Sequence, residues 1–383
     1  MNCGSGKDAA PGGHTPLRDI SRAVLVFMAL TCAACVHSGG WSGGGVTLEF
    51  IGEATFPTGF QYKGYEVGGL SGIDYDPVTD RYIVISDDRA QYGPVRFFDL
   101  QVDLSDGVLD PGDVVFAGVT QILDKDGDLF KPLSVDPEAI RFSPLPDRIV
   151  WTSEGDTDVA PFVRVMTRDG IHIDEFIPPV KYWPTATAGT RRNMTFESLT
   201  FGHDPRSLLT ATENALRQDG PHASLSEGSP VRVLVLDAGN GEPQAEYVYR
   251  TEAVATAPEP ADGFATNGLV ELLTFDNERF MALERSYSTG VGNTVRLFLT
   301  ATKHATDVRA MDSIAQRKIR FMPKELLFDL DELDLALDNI EGMTFGKSLA
   351  DGSRTLILVS DNNFNKKGGQ FTQFLAFRLS LDD

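Results

Sequence analysis

The sequence contains little cysteine, and all of it lies near the N-terminus. Cys3, Cys32 and Cys35 are the three cysteines of the 383-residue chain. The region after residue 35 therefore has no disulfide, no thiol nucleophile and no cysteine metal ligand. The six histidines show no zinc-like spacing, a P-loop and a dinucleotide-binding glycine motif are absent, and Gly69–Ile73 in the first repeat departs from the G-x-S-x-G turn of serine esterases at its last position. These absences argue against zinc, nucleotide and serine-nucleophile chemistry.

Positive charge is also scarce. The chain has 34 lysine and arginine residues against 55 aspartate and glutamate residues, and its formal net charge is −21 at pH 7. Nucleic acid is an unsuitable partner, because its phosphates require a basic surface. An acidic surface keeps a protein soluble and attracts cations. The charge by itself leaves both explanations open.

Long hydrophobic runs are absent, and the apolar run near the N-terminus is short. It covers residues 23–31, follows two arginines, and is too short to cross a bilayer. Together with the small residues after it, this run predicts a secretory signal peptide over residues 1–34. Cys35, which follows two alanines, resembles the lipidated cysteine of a bacterial lipobox. We therefore expect an exported protein, a periplasmic or outer-membrane lipoprotein, with residues 35–45 as a flexible tether.

What the sequence does contain is one pattern that occurs five times. Each copy opens with a small or acidic residue, forms an apolar strand, a turn and a second apolar strand, and ends near an acid. The copies cover Ser71–Asp88, Glu138–Asp156, Glu197–Asn214, Glu271–Arg285 and Glu341–Asn362. They begin at intervals of roughly 60 to 75 residues, and self-similarity on this scale is typical of propellers and other repeat folds.

Further strands surround each copy. A third strand is predicted at 95–104, 162–170, 231–239, 294–302 and 372–381, and a fourth at 113–122, 172–177, 245–251 and 319–323. Four antiparallel strands per repeat, arranged radially, form a β-propeller. The last copy lacks a fourth strand, and we expect residues 46–56 to supply it and close the ring. The sequence thus predicts an all-β, five-bladed propeller over residues 46–383 as one domain, with a sixth, irregular blade as the alternative.

Acidic residues recur at matching places of the repeats. One set precedes the first strand of a copy and comprises Glu138, Glu197, Glu271 and Glu341; the other follows the second strand and comprises Asp87, Asp88, Glu154, Glu213, Glu284 and Asp361. Because the start of one strand neighbours the end of its antiparallel partner, both sets are predicted to meet at one mouth of the central channel. Clustered carboxylates require compensating cations, and Ca²⁺ prefers several oxygen ligands. The pattern favours calcium; the alternative is salt bridges that lock blades together, formed with Arg89, Arg191, Arg192 or Arg285.

Several motifs, in their order and spacing, carry a family resemblance. They are GGLSGIDYD, VISDDR, DPEAIRF, SEGD, NMTFESLTF, ATEN and NIEGMTF, and the region concerned is about residues 66–380. This region resembles the bacterial phytase-like family, also called "esterase-like activity of phytase". The resemblance implies a β-propeller, an exported location and a link to calcium-dependent propeller phytases.

Two classes of function remain open. The first is a metal-dependent phosphoesterase, in which clustered Ca²⁺ makes the acidic mouth a phosphate site and basic residues near the inner hairpins hold anionic oxygens. These basic residues are Arg89, Arg191, Arg192, Lys366 and Lys367. The second is a non-catalytic propeller of the cell envelope that binds a ligand or a protein partner, since the fold serves both classes. In either case we expect a monomer that contacts the membrane only through an N-terminal lipid, with a phosphorylated small molecule or an envelope component as its partner.

Overall fold

The computed structural model describes residues 45–155 and 160–381. The predicted signal peptide, Cys35 and all but the last residue of the predicted tether lie outside these residues. Within the described residues, no helix has the length and apolar character needed to cross a bilayer. Helical structure there is confined to three short 3₁₀ segments, which are Val180–Tyr182, Leu330–Leu333 and Lys366–Gly368.

The strands form five antiparallel sheets of four, here called blades 1 to 5. The described chain begins with β1 (Val46–Pro57) and a small hairpin of β2 (Gln61–Tyr62) and β3 (Tyr65–Glu66). Blade 1 contains β4 (Leu70–Asp76), β5 (Arg81–Ser86), β6 (Arg96–Val102) and β7 (Val114–Gln121). Blade 2 contains β8 (Pro137–Phe142), β9 (Arg148–Ser153), β10 (Phe162–Thr167) and β11 (His172–Phe176).

The remaining blades follow the same order. Blade 3 contains β12 (Phe196–Phe201), β13 (Ser207–Thr212), β14 (Pro230–Asp237) and β15 (Pro243–Arg250). Blade 4 contains β16 (Ala265–Thr274), β17 (Arg279–Ser288), β18 (Gly292–Ala301) and β19 (Lys324–Asp329). Blade 5 contains β20 (Asn339–Gly346), β21 (Arg354–Asp361) and β22 (Phe371–Leu381), with β1 as its outermost strand.

Strand β1 closes the ring as the sequence predicts. It pairs antiparallel with β22, from Val46 opposite Leu381 to Pro57 opposite Phe371. The innermost strands β4, β8, β12, β16 and β20 contact one another in cyclic order. The all-β propeller with five blades is confirmed, and the described residues contain no sixth four-stranded sheet.

Apolar clusters fill the spaces between neighbouring blades. Side chains alternate along a strand, so each inner strand faces two interfaces. Tyr82 and Val84 of β5 point toward blade 5, whereas Ile83 and Ile85 point toward blade 2. The three other interfaces contain equivalent clusters. Burial on both faces explains the apolar runs in the second strands of the blades, such as β5 and β21, and removal of this surface from water stabilises the ring.

One strand differs from its prediction. The fourth strand of blade 4 is Lys324–Asp329, not residues 319–323. The chain between β18 and β19 makes an excursion over blade 3, where the N–H groups of Val308 and Met322 donate to Glu246 and Val248 of β15. Residues 319–323 are therefore occupied with a neighbouring blade, and Pro323 at their end has no N–H for a strand ladder.

Candidate functional site

A β-bulge interrupts every innermost strand at the same place. The bulged residues are Ser71, Glu138 with Ala139, Glu197, Val270 and Glu341. A bulge bends its strand and re-aims the extra side chain. This local geometry turns the first acid of a repeat toward the end of its hairpin partner, where the second acid lies.

An open cavity of about 980 Å³ covers this end of the ring. Six of the ten predicted acids line it, namely Asp87, Asp88, Glu138, Glu197, Glu341 and Asp361. Two more adjoin these, because the Glu154 carboxylate lies close to that of Glu138 and the Glu213 carboxylate lies 3.6 Å from the Arg285 guanidinium of the cavity wall. The structure therefore brings eight of the ten predicted acids to one mouth.

Blade 4 departs from the pattern. Its bulged residue is Val270, which is buried in the apolar cluster between blades 4 and 5. Glu284 pairs with Leu269 just before the bulge, as Thr212 of blade 3 pairs with Phe196, so Arg285 occupies the place of Glu213. The register is thus shifted by one residue relative to the sequence alignment. An apolar residue and a cation replace two acids in this blade.

Glu271 and Glu284 consequently do not belong to the mouth, which corrects the prediction. Glu271 is buried against Arg141, with 2.6 Å between the carboxylate and the guanidinium. Glu284 accepts hydrogen bonds from Tyr249, Asn267 and Lys324 on the outer side of its strand. Both carboxylates are satisfied by structural partners, so neither is available to a cavity ligand.

Asp88 lines the cavity but has structural partners of its own. Its Oδ2 lies 2.7 Å from the Arg96 guanidinium, and both side chains are fully buried. Its Oδ1 accepts the N–H groups of Gln91 and Tyr92 at 2.8 and 3.0 Å. Asp88 therefore anchors the loop after β5, and its carboxylate has little capacity left for a metal ion.

The remaining acids raise one another's pKa. Burial raises the pKa of Glu138 and Glu197 well above the usual glutamate range, and neighbouring carboxylates raise it further. Burial and then Glu341 do the same for Asp87. Burial raises the pKa of Glu154 and Glu213 to about 7, although the Thr195 N–H opposes this at Glu154 and Arg285 opposes it at Glu213. The ring thus contains more buried negative charge than its own groups neutralise.

Three carboxylates form the tightest group in the ring. Ligand oxygens of Asp136, Glu138 and Glu154 all lie within 4.8 Å of one another, and the three residues are buried. Glu154 Oε1 accepts the N–H of Thr195, whereas Glu154 Oε2 is buried without a hydrogen-bond partner in the described chain. An orphaned carboxylate oxygen in an all-oxygen donor set fits a hard divalent cation such as Ca²⁺.

Arg285 is the basic residue most closely integrated into the acid ring. Its Nη2 lies 2.9 Å from Glu341 Oε1 and 3.6 Å from Glu213 Oε1, so it bridges blades 3 and 5. Gly268 makes room for this arrangement, since a Cβ there would collide with the Glu213 carboxylate. The predicted blade-locking pair is therefore present for Arg285.

The five basic residues predicted to hold a substrate do not converge, and Lys367 is exposed outside the cavity lining. Arg89 lines the cavity and lies 3.3 Å from Asp136. Arg191 donates to the carbonyls of Ala215 and Gly220, outside the cavity lining. Arg192 is exposed and also outside the lining, and Lys366 is exposed beside Glu66 at 3.4 Å. Of these basic residues, only Arg89 lies at the mouth as predicted.

Two site residues escape the repeat pattern. Asp136 precedes its repeat by two positions and has no acid at the matching place of blades 1, 3 and 4, which have Gly69, Thr195 and Gly268. The repeat pattern assigns the acid position at the end of this hairpin to Glu284 and therefore passes over Arg285, the next residue. The Asp-Pro-Glu run at residues 136–138 is the signal that could have pointed to the first of these.

Comparisons with known proteins agree with this fold. A family model described as "Phytase-like: Esterase-like activity of phytase" matches residues 65–364. No curated protein is significantly similar to the sequence.

Three solved structures illustrate the structural similarities. The periplasmic gluconolactonase from Pseudomonas aeruginosa is 13% identical, with a TM-score of 0.34 and coverage of 81% of this chain and 85% of that one. The GH43_1 enzyme from Xanthomonas citri is 9% identical, with a TM-score of 0.43 and coverage of 85% and 89%. A xylan β-1,4-xylosidase from Bacillus halodurans is 11% identical, with a TM-score of 0.47 and coverage of 83% and 54%. At these identities and TM-scores, none of them informs on the substrate of this chain.

Proposed function

The chain belongs to the phytase-like family described as "esterase-like activity of phytase", and from this premise we propose that its acidic cavity is a calcium-dependent site for the hydrolysis of phosphoesters. The protein would act outside the cytoplasm, as an exported lipoprotein anchored through Cys35. Both parts of the proposal continue expectations that the sequence raises.

The observation that carries the proposal is a buried carboxylate triad, Asp136, Glu138 and Glu154, that holds more acids than the guanidinium of Arg89 beside Asp136 can neutralise. Like charges buried this close together destabilise a fold unless protons or cations neutralise them. Elsewhere in the propeller, buried acids have arginine or lysine partners, as Glu271 has Arg141 and Glu284 has Lys324. The triad is different, because Glu138 and Glu154 form no ion pair with any described lysine or arginine, and another acid, Glu197, is the side chain within hydrogen-bonding reach of Glu154. A bound cation would supply the missing positive charge.

The triad residues would hold the cation, which when bound would polarise a phosphoryl oxygen and favour attack by water. Arg89, beside Asp136, holds one edge of the triad and offers its guanidinium to anionic oxygens. Glu197 lines the same cavity, and burial followed by the Glu154 charge keeps its pKa well above the usual range. A carboxyl whose pKa is raised in this way is suited to act as a general acid toward a leaving oxygen.

The test combines metal binding with hydrolysis. The purified mature chain is stripped of metal, and its melting temperature and its hydrolysis of phosphoester and carboxylester panels are measured as Ca²⁺ rises. A ligand that binds only the folded state stabilises it by mass action, so melting should rise with Ca²⁺. Glu138→Gln should abolish that rise together with phosphoester hydrolysis. Glu197→Gln combined with Glu213→Gln should weaken the calcium response and leave the fold intact.

The matched control is Glu332→Gln, which makes the same change at an exposed acid outside the cavity. This variant should behave as the unmodified chain does. Melting curves that do not move with Ca²⁺, in a protein that also hydrolyses no phosphoester, would refute the proposal.

A second candidate is a non-catalytic binding propeller of the envelope. The observation that favours it is the ion pair of Arg285 with Glu341 and Glu213, which ties blades together and removes part of the acid ring from chemistry. Stabilisation by Ca²⁺ without turnover of any ester in the panels would support this candidate over the hydrolase.

A further inference from the structure

Two aromatic side chains form a stack at the rim of the acidic cavity. The rings of Tyr92 and Phe364 have centroids 4.4 Å apart and are inclined by 19°. Both residues line the cavity, and Tyr92 is 61% exposed. An exposed ring contributes little to the hydrophobic core. Core packing therefore does not account for a solvent-exposed aromatic stack at the edge of an acidic cavity.

The Tyr92 side of the stack is held by a buried ion pair. Asp88 accepts the Tyr92 N–H at 3.0 Å and is itself fixed by Arg96 at 2.7 Å. Both members of this pair are fully buried. A buried charge pair thus determines the path of the loop that presents an exposed ring.

The Phe364 side is held by a buried amide. Asn362 Oδ1 accepts the N–H groups of Phe364 at 3.0 Å and Gly69 at 3.3 Å. Asn363 and Phe364 both adopt left-handed backbone conformations, with φ of 48° and 50°. Such conformations are costly for a bulky residue, and they concentrate at ligand sites, where the surrounding structure enforces them.

Amide side chains line the same cavity. Gln91, Asn193 and Asn293 line the cavity, and their side chains form no hydrogen bond with another described residue. Asn293 Oδ1 is buried and unpartnered. An amide offers two donors and an acceptor, which is the complement that a hydroxyl group requires.

The charge of the cavity limits what the rim can bind. Among the described residues that line it, the basic ones are Arg89 and Arg285, and each already faces a carboxylate. A ligand with several phosphates would be repelled by the carboxylates of the cavity, because the arginines there already pair with carboxylates. A neutral group with hydroxyls meets no such repulsion.

We propose that the rim binds the ring of a neutral saccharide, which lays its C–H face on Tyr92 and directs its hydroxyls toward the surrounding amides. Aromatic surface combined with a few convergent polar groups is the composition of a selective small-molecule site. The inference rests on the proposed function in one respect only, namely that the saccharide is the alcohol part of the ester. Tyr92 and Phe364 are then specificity residues that act on the organic part of the substrate.

The test measures binding of sugars that cannot be hydrolysed as phosphoesters. Neutral methyl glycosides of glucose, galactose, mannose and xylose are added to the mature chain, with calcium and with a chelator, and binding is followed by saturation-transfer NMR. At least one glycoside should receive saturation at its ring C–H protons under both conditions. Tyr92→Ala should weaken its binding about tenfold, and Tyr92→Phe should retain it, because the ring face supplies the contact.

Trp183→Ala is the control, since Trp183 is a 43% exposed aromatic residue outside the cavity lining. It should bind the glycoside as the unmodified chain does, and all variants should keep the same melting temperature. The proposal is overturned if no glycoside binds, or if Tyr92→Ala binds as well as the unmodified chain. Because the probes carry no phosphate and binding is read without calcium, this outcome is separate from failure of the hydrolase proposal.

Discussion

The ion pair of Arg141 and Glu271 joins all five blades at the centre of the ring. Arg141 of blade 2 donates to Ile73 O of blade 1 at 2.6 Å and to Met343 O of blade 5 at 3.2 Å. It lies 2.6 Å from Glu271 of blade 4, which in turn accepts the Leu199 N–H of blade 3 at 3.3 Å. We therefore predict that this pair stabilises the closed ring. The variant Arg141→Met tests this prediction.

The expected cost follows from burial. The side chains of Arg141 and Glu271 are 3% and 1% exposed, so the variant deprives a buried carboxylate and the carbonyls of Ile73, Ile140 and Met343 of the guanidinium donor. Removal of one partner of a buried pair costs about 3–5 kcal/mol of unfolding free energy. Burial already raises the pKa of Glu271 to about 7 although Arg141 opposes it, and without Arg141 the pKa rises further. The folded variant then binds a proton more tightly than the unfolded chain does, so its stability falls as pH rises and the cost is larger at pH 8 than at pH 6.

Urea unfolding at both pH values measures the effect. Arg206→Met is the matched control, because Arg206 pairs with Asp204 at 2.8 Å but is 83% exposed. An exposed pair is screened by solvent and contributes little to stability. If Arg141→Met costs no more than Arg206→Met, or costs the same at pH 6 and pH 8, the central pair does not have the assigned role.

Three further predictions concern the acid ring and the N-terminus. Metal-free protein should lose stability as pH rises from the usual glutamate range to about 7, because Glu154 and Glu213 have pKa values raised to about 7 in the fold and bind protons more tightly there than when unfolded; a flat melting profile over this range would contradict it. Arg285→Gln removes the cation of the ring, so it should lower metal-free melting and enlarge the gain from Ca²⁺, and equal gains in variant and unmodified chain would count against this. Mass spectrometry of the mature protein should find a lipidated N-terminus at Cys35, and an unmodified N-terminus elsewhere would exclude the lipoprotein hypothesis.

The fold was largely predictable because its signal is repeated. Apolar runs flanked by turns occur five times and indicate strands that are buried on both faces. Because the last copy lacks a fourth strand, residues 46–56 are predicted to complete its blade. The exception was β19, where the preceding residues 302–323 form hydrogen bonds with blade 3. Local sequence cannot show which of two blades a strand-like segment will pair with.

The candidate site was predictable in blades 1, 2, 3 and 5 for the same reason. In blade 4 the comparison of the repeats selects Glu271, which precedes Thr274-Phe275 as Glu197 precedes Thr200-Phe201, and Glu284, which follows the second strand. The structure instead places its bulge at Val270, one residue earlier. In a strand, a shift of one residue turns a side chain to the opposite face, so two acids leave the mouth and Arg285 enters it.

The sequence by itself determined the all-β class, the number of blades, the closure by β1 and the excess of acids at the ends of the inner strands. Only the tertiary structure decided which of these acids are neutralised by arginine or lysine and which, like Glu138 and Glu154, are grouped with other carboxylates. The physical reason is that strand pattern and burial are properties of neighbouring residues along the chain. The charge balance of the cavity depends on side chains from different blades, whose distances are set by bulges and by the packing of the ring.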